Sequence, residues 1–201
     1  GTIQQFSNTI RKFGWSAKFV DFDDPKAIEA AIDADTRALF CETICNPGGA
    51  LSDIPAIARV ANQADIPLIV DNTTATPFLC RPIEYGATLV VHSATKYLAG
   101  HSDVIAGLLA VQDEELGDRL KFFQNACGNI LGPWDSWLTI RGIETLPLRV
   151  EAHSRNALAV ARALAEHEAV AEVFYPGWEP FSKSPTRTTR STPCASKRPR
   201  Q

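Results

Sequence analysis

The chain has 201 residues, with 20 Lys and Arg against 23 Asp and Glu, a formal charge of −3, and 45% of its residues are hydrophobic. That balance is ordinary for a globular protein and excludes a collagen-like, coiled-coil or wholly disordered chain. It contains no run of 18 apolar residues and its start, GTIQQFSNTIRKFG, does not read as a secretory leader, so neither a membrane span nor Sec-type export is expected.

The five cysteines, Cys41, Cys45, Cys80, Cys127 and Cys194, are scattered and odd in number. This fits reduced thiols in a cytoplasmic protein better than a disulfide framework, and the C-x3-C of Cys41 and Cys45 alone predicts no metal site.

In chain order, short β-type runs alternate with amphipathic stretches, the pattern of a parallel sheet covered by helices. The expected strands are SAKFVDF (16–22), ALFCE (38–42), PLIVD (67–71), TLVVHS (88–93) and IAGLLAV (105–111), the most apolar of them reading as buried on both faces. Between them, DDPKAIEAAID (23–33) places Pro25 in a first helical turn. SDIPAIARVANQAD (52–65) offers Ser52 or Asp53 as a cap before the apolar stripe Ile54, Ile57, Val60, Ala61 and Ala64. Beyond residue 112 helices are expected over 114–127, 133–146 and 146–168, then a strand at 170–176 that opens a second domain. Residues 181–201 hold six basic residues and no acid, which leaves 14 basic and 23 acidic residues, a net of −9, on the other 180.

Ligands of open parallel sheets bind beyond the carboxyl ends of the strands, so polar residues closing an apolar run are the candidates. PLIVD closes on Asp71, and TLVVHS closes on Ser93 and runs into ATKY, with Lys96 in the turn. The 25-residue spacing between Asp71 and Lys96 is one βαβ crossover, so both side chains can face one crevice. A lysine, a strand-end carboxylate and the hydroxyls of Ser93 and Thr95 are what pyridoxal phosphate requires. The amine condenses with the cofactor aldehyde, the carboxylate keeps the pyridine nitrogen protonated, and the hydroxyls donate to phosphate. A single loop lysine is more often solvated than catalytic, so on the residues alone both readings stay open. A nucleotide-binding Rossmann module is disfavoured because the first βα turn lacks its glycine fingerprint, and Gly48 and Gly49 read as a turn.

The segments ETICNPGG, VDNTTATPFLCRPIEYGATLVVHSATKYLAGHSDVIAG and GPWDSWLTIRGIETLPLR closely resemble the Cys/Met-metabolism family of pyridoxal-phosphate enzymes. That family holds the cystathionine γ-synthases and the γ- and β-lyases, methionine γ-lyase and the O-acylhomoserine sulfhydrylases. The likeness runs from about Gly1 to Pro176. It implies an α/β fold of type I, a mostly parallel sheet with helices on both faces plus a stub of a C-terminal domain. Residues 1–146 would be a partial cofactor-binding large domain, 147–180 a linking helix and the start of the next domain, and 181–201 a tail. For that tail a translated frameshift near Pro180 is preferred to a disordered segment or a nucleic-acid-binding arm.

Residue by residue, the resemblance implies that Lys96 is the catalytic, Schiff-base lysine and that Asp71 partners the pyridinium. Ser93 and Thr95 would bind phosphate, Asn46 would lie near the phenolic oxygen and Thr73 would line the ring face. His92 reads as a packed strand-end histidine and His101 as a loop histidine, and Trp134 and Trp137 as core or subunit interface. The implied activity is γ-elimination or γ-replacement on a homoserine-derived amino acid, of the cystathionine γ-synthase or γ-lyase type, with a sulfhydrylase or methionine γ-lyase as the alternative. The implied cofactor is pyridoxal 5′-phosphate, and the implied partners are a small amino-acid substrate and further copies of the chain, not nucleic acid or a membrane. Family features upstream of Gly1 and beyond YPG have no counterpart here, which suggests a fragment, inactive as an isolated chain.

Overall fold

The computed structural model describes residues 1–176, so the expectations for residues 181–201 lie outside the described residues. The chain begins with a helical arm: α1 (Thr2–Gln4), a π turn at Gln5–Thr9 and a 3₁₀ turn at Ile10–Phe13. Then come α2 (Pro25–Ala31), β1 (Leu39–Glu42), α3 (Ile54–Gln63), β2 (Leu68–Asp71), α4 (Thr76–Leu79), a 3₁₀ turn at Pro82–Tyr85 and β3 (Leu89–Ser93). β4 (Gly107–Val111) follows, and α5 (Glu114–Cys127), α6 (Pro133–Glu144) and α7 (Leu146–Ala165) complete the described fold.

Local chemistry fixes the helix starts. Asp24 accepts from the Lys26 N–H at 2.9 Å ahead of α2, which carries Pro25 in its first turn. Of the two candidate caps before α3, Asp53 is the one used, accepting from Ala56 N at 3.0 Å. Ser52 instead donates its hydroxyl to the Glu42 carbonyl at 2.8 Å, tying the helix entrance to the end of β1.

The strands stand in the order β1-β2-β3-β4. β1 and β2 pair parallel, as do β2 and β3, whereas β4 lies antiparallel to β3. Alternation along the strands sends Leu39, Cys41, Leu68, Val70 and Val90 into a buried core with α3. The opposite face is half-buried, with Phe6 of the arm edge-on to Phe40 of β1 at 5.0 Å between ring centroids.

Three expectations are corrected. The run 16–22 forms no strand: Val20 and Phe22 pack on the core, but the segment joins no ladder, and β1 remains the sheet edge among the described residues. The run 170–176 likewise has no strand; Tyr175 anchors it by donating to the Ser154 carbonyl at 3.3 Å. The run 105–111 contributes β4 only from Gly107, antiparallel and largely exposed rather than buried on both faces. The intervening residues 94–106 are occupied by the lysine turn and supply no crossover helix, and a parallel return needs one.

Candidate active site

Asp71 ends β2 and Ser93 ends β3, and Asp71 shares the half-buried side of the sheet with Val91 opposite it. Beyond these ends lies an open cleft of about 2860 Å³, and Asn46, Asp71, Thr73, Ser93, Thr95 and Lys96 all line it. The crevice expected from the spacing therefore exists. It is several times the roughly 300–1,000 Å³ of a closed ligand pocket.

The Asp71 carboxylate accepts from the Thr73 N–H at 2.9 Å, an Asx turn that aims it away from the strand axis. Thr73 accepts through its hydroxyl from the Ser93 N–H at 2.7 Å, bridging the ends of β2 and β3. The Ser93 hydroxyl and the Lys96 ammonium have no hydrogen-bond or ion-pair partner among the described residues, and Lys96 is exposed to the cleft. Thr95 is different: its hydroxyl accepts from Ala106 N at 2.9 Å and donates to Ala106 O at 3.2 Å, so it must redirect its single proton to reach a phosphate. Asn46 sits on a turn with a cis Asn46–Pro47 bond, and its N–H donates to Glu42 Oε2 at 3.0 Å.

Beneath this polar rim is a buried strut. Asn72 is fully buried; its side chain accepts from the Thr43 hydroxyl and donates to the Cys80 carbonyl, both at 2.8 Å. Its own N–H donates to Val91 O at 2.9 Å, so one residue joins the ends of β1, β2 and β3. Four residues on, fully buried Thr76 adopts φ +61°, a left-handed conformation that costs a β-branched residue about 1–3 kcal/mol.

His92 is 5% exposed and its Nδ1 has no hydrogen-bond partner among the described residues. Burial holds its pKa below the ordinary value, against the opposing pull of the Asp71 carboxylate. Burial also pushes the Cys41 thiol up to about 12, so it stays protonated behind β1. Trp134 and Trp137 stack on each other at 5.1 Å with Arg141 over Trp137, but both are exposed, so they form no part of this chain's core. Gly48 and Gly49 make the expected turn, with φ of 101° and 66°.

A primary amine without a protein partner, a carboxylate fixed at a strand end and a free hydroxyl, all on one cleft, form a donor set that fits pyridoxal phosphate. The family described as "Cys/Met metabolism PLP-dependent enzyme" matches residues 1–190, and the chain belongs to it. The match ends 14 residues past Pro176, to which the likeness in the sequence runs.

A probable cystathionine gamma-synthase of Herpetosiphon aurantiacus is 48% identical over 177 residues, which are 88% of this chain and 56% of that protein. A cystathionine gamma-synthase/O-acetylhomoserine (thiol)-lyase of Bacillus subtilis is 46% identical over 88% of this chain and 48% of its own length. Among solved structures, cystathionine gamma-lyase from Lactobacillus plantarum, complexed with L-serine, superposes with a TM-score of 0.87 at 42% identity, covering 89% of this chain and 47% of that one. The chain thus spans about half the length of the relatives it matches.

Proposed function

We propose that the chain is the lysine-bearing part of a pyridoxal-phosphate-dependent transsulfuration enzyme that acts at the γ-carbon of a homoserine-derived amino acid. The observation that carries this reading is the shared cleft of Lys96 and Asp71, in a chain of this family. When bound, pyridoxal phosphate supplies an electron sink that stabilises negative charge on the substrate.

The chain's own groups divide the remaining work. Lys96 would hold the cofactor aldehyde through its amine and, as a free amine, would move protons on the substrate's carbon skeleton. Asp71, oriented by the Thr73 N–H, holds the proton on the ring nitrogen. Ser93 donates to the phosphate, and Thr95 does so after giving up its bond to the Ala106 carbonyl. Asn46, tethered through its N–H to Glu42, would hold the phenolic oxygen, and Thr73 would line the ring.

In this reading residues 1–146 hold the cofactor and 147–180 lead into a second domain. The working enzyme is a cytoplasmic homo-oligomer with a small amino-acid substrate. No helix of the described residues is long and apolar enough to cross a membrane. Relatives are named as γ-synthases, γ-lyases and β-lyases, and the GHSD segment that follows the lysine turn favours the cystathionine γ-synthase or γ-lyase type over the O-acetylhomoserine sulfhydrylases. The test is turnover of O-acylhomoserine with cysteine, and of cystathionine, by the complete protein. Formation of cystathionine or of a keto acid, lost in Lys96→Ala, is the expected result; turnover that survives in Lys96→Ala overturns the assignment.

A further inference from the structure

The turn that presents Lys96 cannot hold its own shape. Residues 94–99 form little more than one turn, closed by Ala99 N–H to Ala94 O at 2.9 Å and Gly100 N–H to Lys96 O at 2.8 Å. A structure so short leaves its last carbonyls without intrinsic partners, and a lone turn is not stable by itself. The Ala99 carbonyl accepts from His101 Nδ1 at 2.7 Å. The Tyr97 and Leu98 carbonyls are met from elsewhere in the chain, by Arg149 of α7, whose Nη1 donates to Tyr97 O at 2.8 Å and whose Nη2 donates to Leu98 O at 3.2 Å.

The same guanidinium is braced at its root: Nη2 also donates to the Gly142 carbonyl at 2.6 Å, and Nε donates to the Thr145 hydroxyl at 3.1 Å. Four acceptors around one planar fork use its geometry fully, and a lysine ammonium, a single point with three donors, cannot span them. Two glycines make room. A Cβ on Gly100, at φ +77°, would collide with the Arg149 guanidinium, and one on Gly142 would collide with the Ala99 carbonyl. Around the fork, Ala94, Leu98 and Ala99 share a buried cluster with Leu146 and Val150, and the Tyr97 ring lies 5.5 Å from His153.

We propose that Arg149 is a positioning residue for Lys96: its guanidinium, bridging the carbonyls of Tyr97, Leu98 and Gly142, sets the direction in which the lysine enters the cleft. This rests on the reading of Lys96 as the cofactor lysine. The geometry of the clamp itself is independent of that reading, so the two are tested separately.

The test uses the full chain with Arg149→Lys, which keeps charge and stem but not the fork, and Gly142→Ala as a second route to the same loosening. Hydrogen exchange without cofactor should accelerate about tenfold or more at the amides of Ala99 and Gly100, the loss expected when hydrogen bonds to a charged donor are removed. The amides of Val70 and Ala61, in the core under β2 and α3, should keep their rates. With pyridoxal phosphate as the probe, the visible absorbance of the imine should remain in Arg149→Lys while its circular dichroism falls severalfold, because a loosened lysine no longer fixes one orientation of the ring. Unchanged exchange at Ala99 and Gly100, acceleration spread equally to Val70 and Ala61, or an unaltered dichroism band overturns the proposal. Lys96→Ala is the separate arm: imine absorbance that persists in it removes the lysine assignment, and the clamp then stands or falls on exchange alone.

Discussion

The two sides of the cleft are held in opposite ways. The carboxylate side is built from within the sheet: Asp71 ends β2, Asn72 and Thr73 follow it directly, and their partners Thr43, Cys80, Val91 and Ser93 belong to neighbouring strands and the next turn. The lysine side is a short turn held from outside, by a guanidinium on a helix more than fifty residues downstream. A fixed charge that must sit at one point on a ring is therefore placed by a part-buried bond from the Thr73 N–H, on strand ends that the buried bonds of Asn72 hold together. A side chain that must move between partners is mounted on a turn whose brace leaves its end free in the cleft.

The largest expected effect that sharpens this contrast is on chemistry. Asp71→Asn keeps the shape and the acceptor for the Thr73 N–H but removes the charge, so cofactor should still bind while turnover falls on the order of a hundredfold or more. Near-parental turnover, measured by steady-state kinetics, would move the charge-stabilising role to another residue.

Next is stability on the same side. Asn72→Ala leaves the buried Thr43 hydroxyl without its acceptor and takes a side-chain donor from the Cys80 carbonyl, and at about 1–3 kcal/mol for a buried group left unsatisfied a loss of about 1–3 kcal/mol is expected in urea unfolding. A loss below about 1 kcal/mol would show that the strut is not what fixes the strand ends.

A smaller effect concerns His92, between the two sides. Its folded pKa lies below the ordinary 6.5, so the unfolded chain takes up the proton first. Its contribution is fully present above pH 6.5 and is lost as pH falls from there through the lowered folded value. The urea midpoint should decline over that window, and less steeply in His92→Gln; identical slopes would remove His92 as the cause.

The smallest test is chemical. Cys41, protonated and buried, should resist iodoacetamide at pH 8 while exposed Cys127 is alkylated, as read by peptide mass spectrometry. Rapid labelling of Cys41 would mean that the wall behind β1 opens easily.

The same contrast explains what could be read from the sequence. Asp71, Ser93 and Lys96 were legible because polar residues closing apolar runs mark strand ends, and one crossover brings two such ends together. Asn72 was missed although its parity was visible: Leu68 and Val70 face the core, and two residues on, so must residue 72. Arg149 gave no local signal, since a charged residue on an amphipathic helix reads as solvated and only the folded topology brings it to the lysine turn. The runs 16–22 and 170–176 carry strand-like patterns but no neighbour with which to pair, and pairing, which a strand requires, is not a property of the segment alone.

Chemical trapping decides whether Lys96 is the lysine that holds the cofactor. The chain is mixed with pyridoxal phosphate, reduced with borohydride and digested, and the pyridoxyl group is located by mass spectrometry. A single modified peptide carrying the group on Lys96 is expected, and none on that peptide in Lys96→Ala. A pyridoxyl group found instead on Lys12, Lys18, Lys26 or Lys121, or spread evenly over the lysines, would contradict the Lys96 assignment.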